Sequence, residues 1–287
     1  MEIIVNTSIA YETARTKQHP EMGTKTLVSF LALTFGLSWI PMALFMLFPD
    51  QLTPLFGEIS TSNPFFLLAV YAPSLSGIFL IWHHYGLKGL GSFFRRLFLW
   101  RAPAQWWFFL LLGIPVIVYV AAAIKGTIND PFPFSPWTMV FPALVQSLLL
   151  GPIGEEFGWR GLVLPLLQRR FAPFWASLIL GIVWAIWHAP AFLMSGTPQS
   201  AWSFGPFFLG LIAIAVIMTP LFNASRGSLL IAILYHLNIM NPIFPDAQPW
   251  DSYLLALAAG VIVFLNRRQM FQGGSGVMEV LPSEEKE

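Results

Sequence analysis

Apolar residues in this chain fall in long, nearly unbroken runs, not in the period-two alternation of half-buried strands. Eight runs follow one another, centred near residues 37, 74, 115, 145, 182, 213, 235 and 258. About 20 apolar residues at 1.5 Å per residue cross a hydrocarbon core of ~30 Å, so each run is read as a membrane helix, the seventh being the shortest. Turn chemistry separates them: Pro49-Asp50, Gly86-Leu87-Lys88-Gly89, Asp130-Pro131-Phe132-Pro133, Ser195-Gly196-Thr197-Pro198 and Pro245-Asp246. The pattern predicts an all-α polytopic membrane protein with eight transmembrane helices over residues 26–268. A polar tail, 1–25, precedes them, and a tail over 269–287, Gly-, Ser- and Glu-rich from Gln272, reads as disordered. The first run, Leu27 to Phe48, is too long for the ~7–15-residue core of a signal peptide and is read as a retained helix.

Charge orients the helices, because basic loops stay on the cytoplasmic side. With both termini inside and the loops assigned alternately, every lysine and arginine except Lys125 lies inside, while Asp50, Glu58, Asp130, Asp246 and Asp251 lie outside. Trp39, Trp82, Tyr85, Trp100, Trp106, Trp107, Trp137, Trp202, Trp250 and Tyr253 sit near run ends and suit an interfacial aromatic belt. Composition agrees: 56% of the 287 residues are hydrophobic and only 10% charged, against roughly 25% in soluble domains. A net charge of +1 gives no reason to expect a nucleic-acid partner, and the absence of cysteine excludes disulfides, thiolate metal sites and a cysteine nucleophile. The location implied is a cell membrane, or the endoplasmic reticulum membrane of a eukaryote, with the lipid bilayer as the constant partner.

Against this background the few intramembrane polar residues stand out, since ionisable groups at that depth are costly and mark function by default. Gly154-Glu155-Glu156-Phe157-Gly158-Trp159-Arg160 follows directly on an apolar run. Glu156 and Arg160, four apart, share a helix face with the acid on the N-terminal side, the favourable order for an ion pair. Glu155 is turned about 100° away, free to face another helix. Both acids could equally be interfacial charges at a helix end. His188 lies in the fifth run, one turn after Trp184 and just before a Pro190 that can bend the helix; a buried, hydrogen-bonded histidine is the plainer account of it. The seventh run carries His236, Asn238 and Asn241, which interhelical hydrogen bonding would also explain.

Taken together, a free carboxylate, two imidazoles and an amide from three helices fit hydrolysis by an activated water. Glu155 would be the general base, one imidazole would orient the water, and the other would join an amide as donors to the developing oxyanion. No Gly-x-Ser-x-Gly elbow and no His-Glu-x-x-His occurs. Glu and His from separate helices could still ligate a metal, but no metal or cofactor is expected.

These motifs resemble the CAAX protease and bacteriocin-processing (CPBP, or Abi) family of intramembrane glutamic endopeptidases, with signatures Glu-Glu-x-x-x-Arg, Phe-x-x-x-His and His-x-x-x-Asn/Asp. The first is matched by Glu155, Glu156 and Arg160; the second by Trp184 and His188, with tryptophan for phenylalanine. The third is matched in part, because Met240 holds the fourth position after His236 and the asparagines stand at Asn238 and Asn241. The resemblance implies that Glu155 and His188 activate the water and that His236 and an asparagine form the oxyanion site, with Glu156 and Arg160 in support. Asn241 is favoured over Asn238, through a π-bulge that would bring the fifth position round. The implied substrate is a membrane-associated protein or peptide, with CaaX-type C-terminal processing among the family's reactions, cut near the cytoplasmic leaflet. A non-enzymatic scaffold or immunity protein, and a proton- or ion-coupled transporter, are the alternatives.

Overall fold

The computed structural model describes residues 22–282, and within them the protein is entirely helical. Six helices are long and apolar enough to cross a membrane: α1 (Thr24–Leu47), α2 (Pro64–Phe98), α3 (Ala104–Lys125), α4 (Trp137–Gln168), α5 (Pro173–Leu193) and α6 (Phe204–Ala224). Two shorter apolar helices, α7 (Leu229–Ile239) and α8 (Trp250–Leu265), complete the eight runs read from the sequence. The protein is thus a multi-pass membrane protein. Its seventh helix departs from the expected full crossing: 11 residues span only about 16 Å. The helix ends because Met240 leaves the helical region and Asn241 precedes a proline, which disfavours helix. Non-helical backbone at membrane depth is tolerated where it lines a cavity, and Asn241 and residues 244–248 do so.

α6 is the central helix, buried almost continuously from Gly210 to Phe222, and it packs on α5 and α8. α4 crosses α2 at very close range. A Cβ on Gly158 would lie 2.3 Å from the carbonyl oxygen of Pro73, and one on Gly154 2.8 Å from that of Val70. Between lipid-embedded helices, where apolar burial gives little drive, such small-residue contacts allow the backbone approach that holds the pair. Ser74 adds a hydrogen bond to the Ile153 carbonyl, 2.8 Å. The Gly154-x-x-x-Gly158 spacing is therefore what fixes the height and rotation of the acidic motif between them.

The two ends of the bundle differ. At one, Arg96 is buried and donates to the carbonyls of Gly227 (2.8 Å), Gly161 (2.9 Å) and Val280 (3.0 Å), while Arg169 donates to those of Met22 and Met278, both at 2.8 Å. Both ends of the described chain therefore meet at this basic end. At the other, Lys125 pairs with Asp246 at 2.7 Å and Gln146 donates to Thr61 at 3.2 Å.

The polar segment from Gln272 to Pro282 packs on the bundle: Val280 is buried, and Gln168 and Asn223 bind the backbone of Val277. Its polar composition concealed this because the chain is held by its carbonyls and amides, which composition does not report. Residues 1–21 and 283–287, which carry most of the N-terminal tail and the end of the C-terminal one, lie outside the described residues. Of the aromatic residues near run ends, Trp39, Trp82, Trp100, Trp137, Trp202, Trp250 and Tyr253 are exposed, Trp39 and Trp202 at the border of a cavity, whereas Trp106 is buried.

Candidate active site

The site is assembled on a flaw in α4. Helix geometry breaks at Gly151 (φ −135°, ψ −89°) and restarts at Pro152, so Glu155 falls in the first turn of the new helical segment, where backbone N–H groups favour a negative charge. Gly151 has no side chain to offer, and the sulfur of Met240 occupies that space, 2.3 Å from where a Cβ would be. Beyond Gly158 the helix relaxes into a π-turn, Trp159–Val163, that carries Arg160; the freed carbonyl of Gly161 is the one taken by Arg96.

The acids divide as the helical phase requires. Glu156 Oε1 accepts from Arg160 at 3.0 Å and lies 2.7 Å from His236 Nδ1, with both acid and arginine fully buried. Glu155 takes part in neither contact. Its Oε2 accepts the indole N–H of Trp184 at 2.5 Å. That tryptophan also meets Arg160 and His236: its ring underlies the Arg160 guanidinium at 4.2 Å and meets the His236 ring edge-on at 5.4 Å. Its own carbonyl lies 2.9 Å from His188 Nδ1. A carbonyl only accepts, so His188 Nδ1 carries the proton and Nε2 is left as a lone pair. The end of α5 is fastened to α1 in turn, by Trp187 donating to Ser38 Oγ (2.8 Å) and Trp39 donating to the Trp187 carbonyl (3.1 Å).

The asparagines separate. Asn238 donates to the Leu110 carbonyl, in the π-turn of α3 (Phe109–Gly113), and is absent from the cavity wall. Asn241 lines the cavity, and its side-chain oxygen accepts from Ile243 N at 3.3 Å, leaving its NH2 as the donor it can offer. It reaches the cavity by chain termination and not by the π-bulge foreseen in α7: the π-turns lie in α3 and α4. Glu155, Trp184, His188, His236 and Asn241 thus share one cavity of about 460 Å³.

Glu155 lies 13 residues before Gln168, the last residue of α4, about 20 Å along the axis at an ideal helical rise. The sequence reading also missed the indole of Trp184 as a donor and the two glycines that seat the motif on α2. The Gly-x-x-x-Gly spacing was the signal for the latter.

An all-helical membrane protein with carboxylate, imidazole and amide groups around an intramembrane cavity defines a class of polytopic proteins with a buried polar site. Comparison with known proteins narrows it. Residues 135–240 match the family model described as Type II CAAX prenyl endopeptidase Rce1-like, a stretch that contains Glu155, Glu156, Arg160, Trp184, His188 and His236. The chain is also 29% identical over 180 residues to the CAAX prenyl protease 2 of Methanococcus maripaludis; the match takes in 57% of this chain and 66% of that relative, just under two thirds of its length. The resemblance drawn from the three motifs is thereby borne out across the site-bearing part of the chain.

Proposed function

We propose that the protein is an intramembrane endopeptidase that hydrolyses a peptide bond of a membrane-associated protein or peptide with a water activated by Glu155. The observation that carries this reading is the convergence of Glu155, His188, His236 and Asn241 on one cavity, from three helices and the turn after α7. Glu155, held by Trp184, is the base that takes a proton from water. His188, whose Nδ1 proton is committed to the Trp184 carbonyl, offers Nε2 to orient that water and pass its proton to the leaving amine. His236 is anchored through Nδ1–H on the carboxylate of the Glu156–Arg160 pair; as the imidazolium, with Nε2 protonated as well, it and the Asn241 NH2 are the donors available to the oxyanion. Glu156 and Arg160 hold His236 in place and take no part in proton transfer.

The match to CAAX prenyl endopeptidases supports the reaction class, and the same set of residues in one cavity supports the glutamic mechanism. Comparative membrane proteomics of a strain carrying Glu155→Gln tests the proposal. One or a few membrane proteins should keep a C-terminus or membrane-proximal bond that the wild-type strain cuts. An unchanged set of termini under every growth condition would instead favour the non-enzymatic scaffold.

A further inference from the structure

The cavity and the basic loops lie at opposite ends of the molecule. Glu155, Trp184 and His236 form the buried floor of the cavity, whereas its exposed wall residues, Gln146, Pro198, Trp202, Met240 and Asp246, belong to the outer part of α4 and to the connections between α5 and α6 and between α7 and α8. These are at the end where Lys125 pairs with Asp246. None of the basic-end contacts of Arg96 and Arg169 reaches it, and no lysine or arginine among the described residues lines it, while Asp246 and Asp251 do. The truncated α7 explains the asymmetry: a helix of about 16 Å fills the basic half of its crossing only, and the turn after it walls a cavity in the other half.

Because basic connections are retained in the cytoplasm, we propose that the cavity opens to the extracytoplasmic side and receives a peptide segment presented at the outer leaflet, not a chain terminus arriving from the cytosol. Only the word substrate for that segment rests on the endopeptidase reading. The direction of opening is a separate property of the fold.

The chain has no cysteine, so single substitutions report accessibility without background. Three variants suffice: Pro198→Cys at the exposed rim, Ala191→Cys in the wall one turn beyond His188, and Gln269→Cys beside Arg267 and Arg268 at the basic end. Intact expressing cells are treated with a small, permanently charged methanethiosulfonate that does not cross membranes, and the same cells are treated after permeabilisation. The proposal predicts modification of Pro198→Cys and Ala191→Cys in intact cells to the level reached after permeabilisation, and of Gln269→Cys only after permeabilisation. The reverse pattern overturns it. So does modification of Ala191→Cys from both sides, which would describe a through-passage, or its protection from both sides while Pro198→Cys reacts, which would describe a closed cavity. Repeating the series in a Glu155→Gln background separates the two claims: the labelling pattern must persist there, whereas failure of the protease reading would show as unaltered cleavage and leave the labelling as it is.

Discussion

Trp184 is where the structure makes a quantitative demand that the motif alone does not. The resembled family places phenylalanine at this position, and Trp184→Phe keeps an aromatic ring beneath Arg160 while deleting the N–H that reaches Glu155 Oε2 at 2.5 Å. Both residues are buried, at 1% and 4% exposure, so water does not readily replace the lost donor. Removing a hydrogen bond to a charged group costs roughly 1.5–3 kcal/mol. If that donor holds the carboxylate in its reactive position, the loss appears in the chemical step, as about a 10- to 150-fold fall in kcat/KM at 1.36 kcal/mol per factor of ten. The assay is cleavage of the protein that stays uncut in the Glu155→Gln strain, by purified wild type and variant in the same liposomes. Thermal unfolding is followed in parallel, because a cation–π contact over phenylalanine is weaker than one over tryptophan. Activity of Trp184→Phe within twofold of wild type would refute the reasoning, and so would a loss that disappears once unfolded protein is subtracted.

Other consequences are more direct. Asn241→Ala should lower kcat by about 10²–10³ as an oxyanion donor does, while Asn238→Ala, which only frees the Leu110 carbonyl, should cost about 1 kcal/mol of stability and little activity; the opposite ranking would return the role to Asn238. Gly158→Ala puts a Cβ against the Pro73 backbone and should lower the unfolding temperature in detergent, by the equivalent of about 1–3 kcal/mol or more, whereas Gly91→Ala, which meets open space, should not. Arg160→Ala leaves the buried Glu156 carboxylate with His236 as its remaining partner, for a loss of up to about 3–5 kcal/mol that Glu156→Gln in the same chain should partly restore; equal melting of single and double variants would mean that the pair is not coupled.

The acidic motif and the all-helical membrane architecture were legible in the sequence because both rest on local rules. Run length against membrane thickness gives the helices, and 100° per residue separates Glu155 from Glu156. What was not legible depends on contacts between distant parts of the chain. The order of residues 272–282 comes from arginine and amide side chains binding backbone groups, which leaves no compositional trace. Asn241 lines the cavity because α7 stops at Ile239 and the turn that follows faces inward, which no spacing rule along the helix reports. Trp39 and Trp202 are exposed near run ends, as belt residues are, but that they also border the cavity is visible only in the packing around α5. Loop charge carries no information on where along α4 the site sits.

The central claim is that the Glu155 carboxylate activates the water that cuts the substrate. Its most direct measurement is cleavage of the identified protein by purified enzyme in liposomes, comparing wild type with Glu155→Gln of unchanged melting behaviour. The account predicts a single cut by the wild type and none above background by the variant, with the Glu156–Arg160–His236 contacts undisturbed because Glu155 takes no part in them. A Glu155→Gln protein that still cuts the same bond at a comparable rate would contradict it.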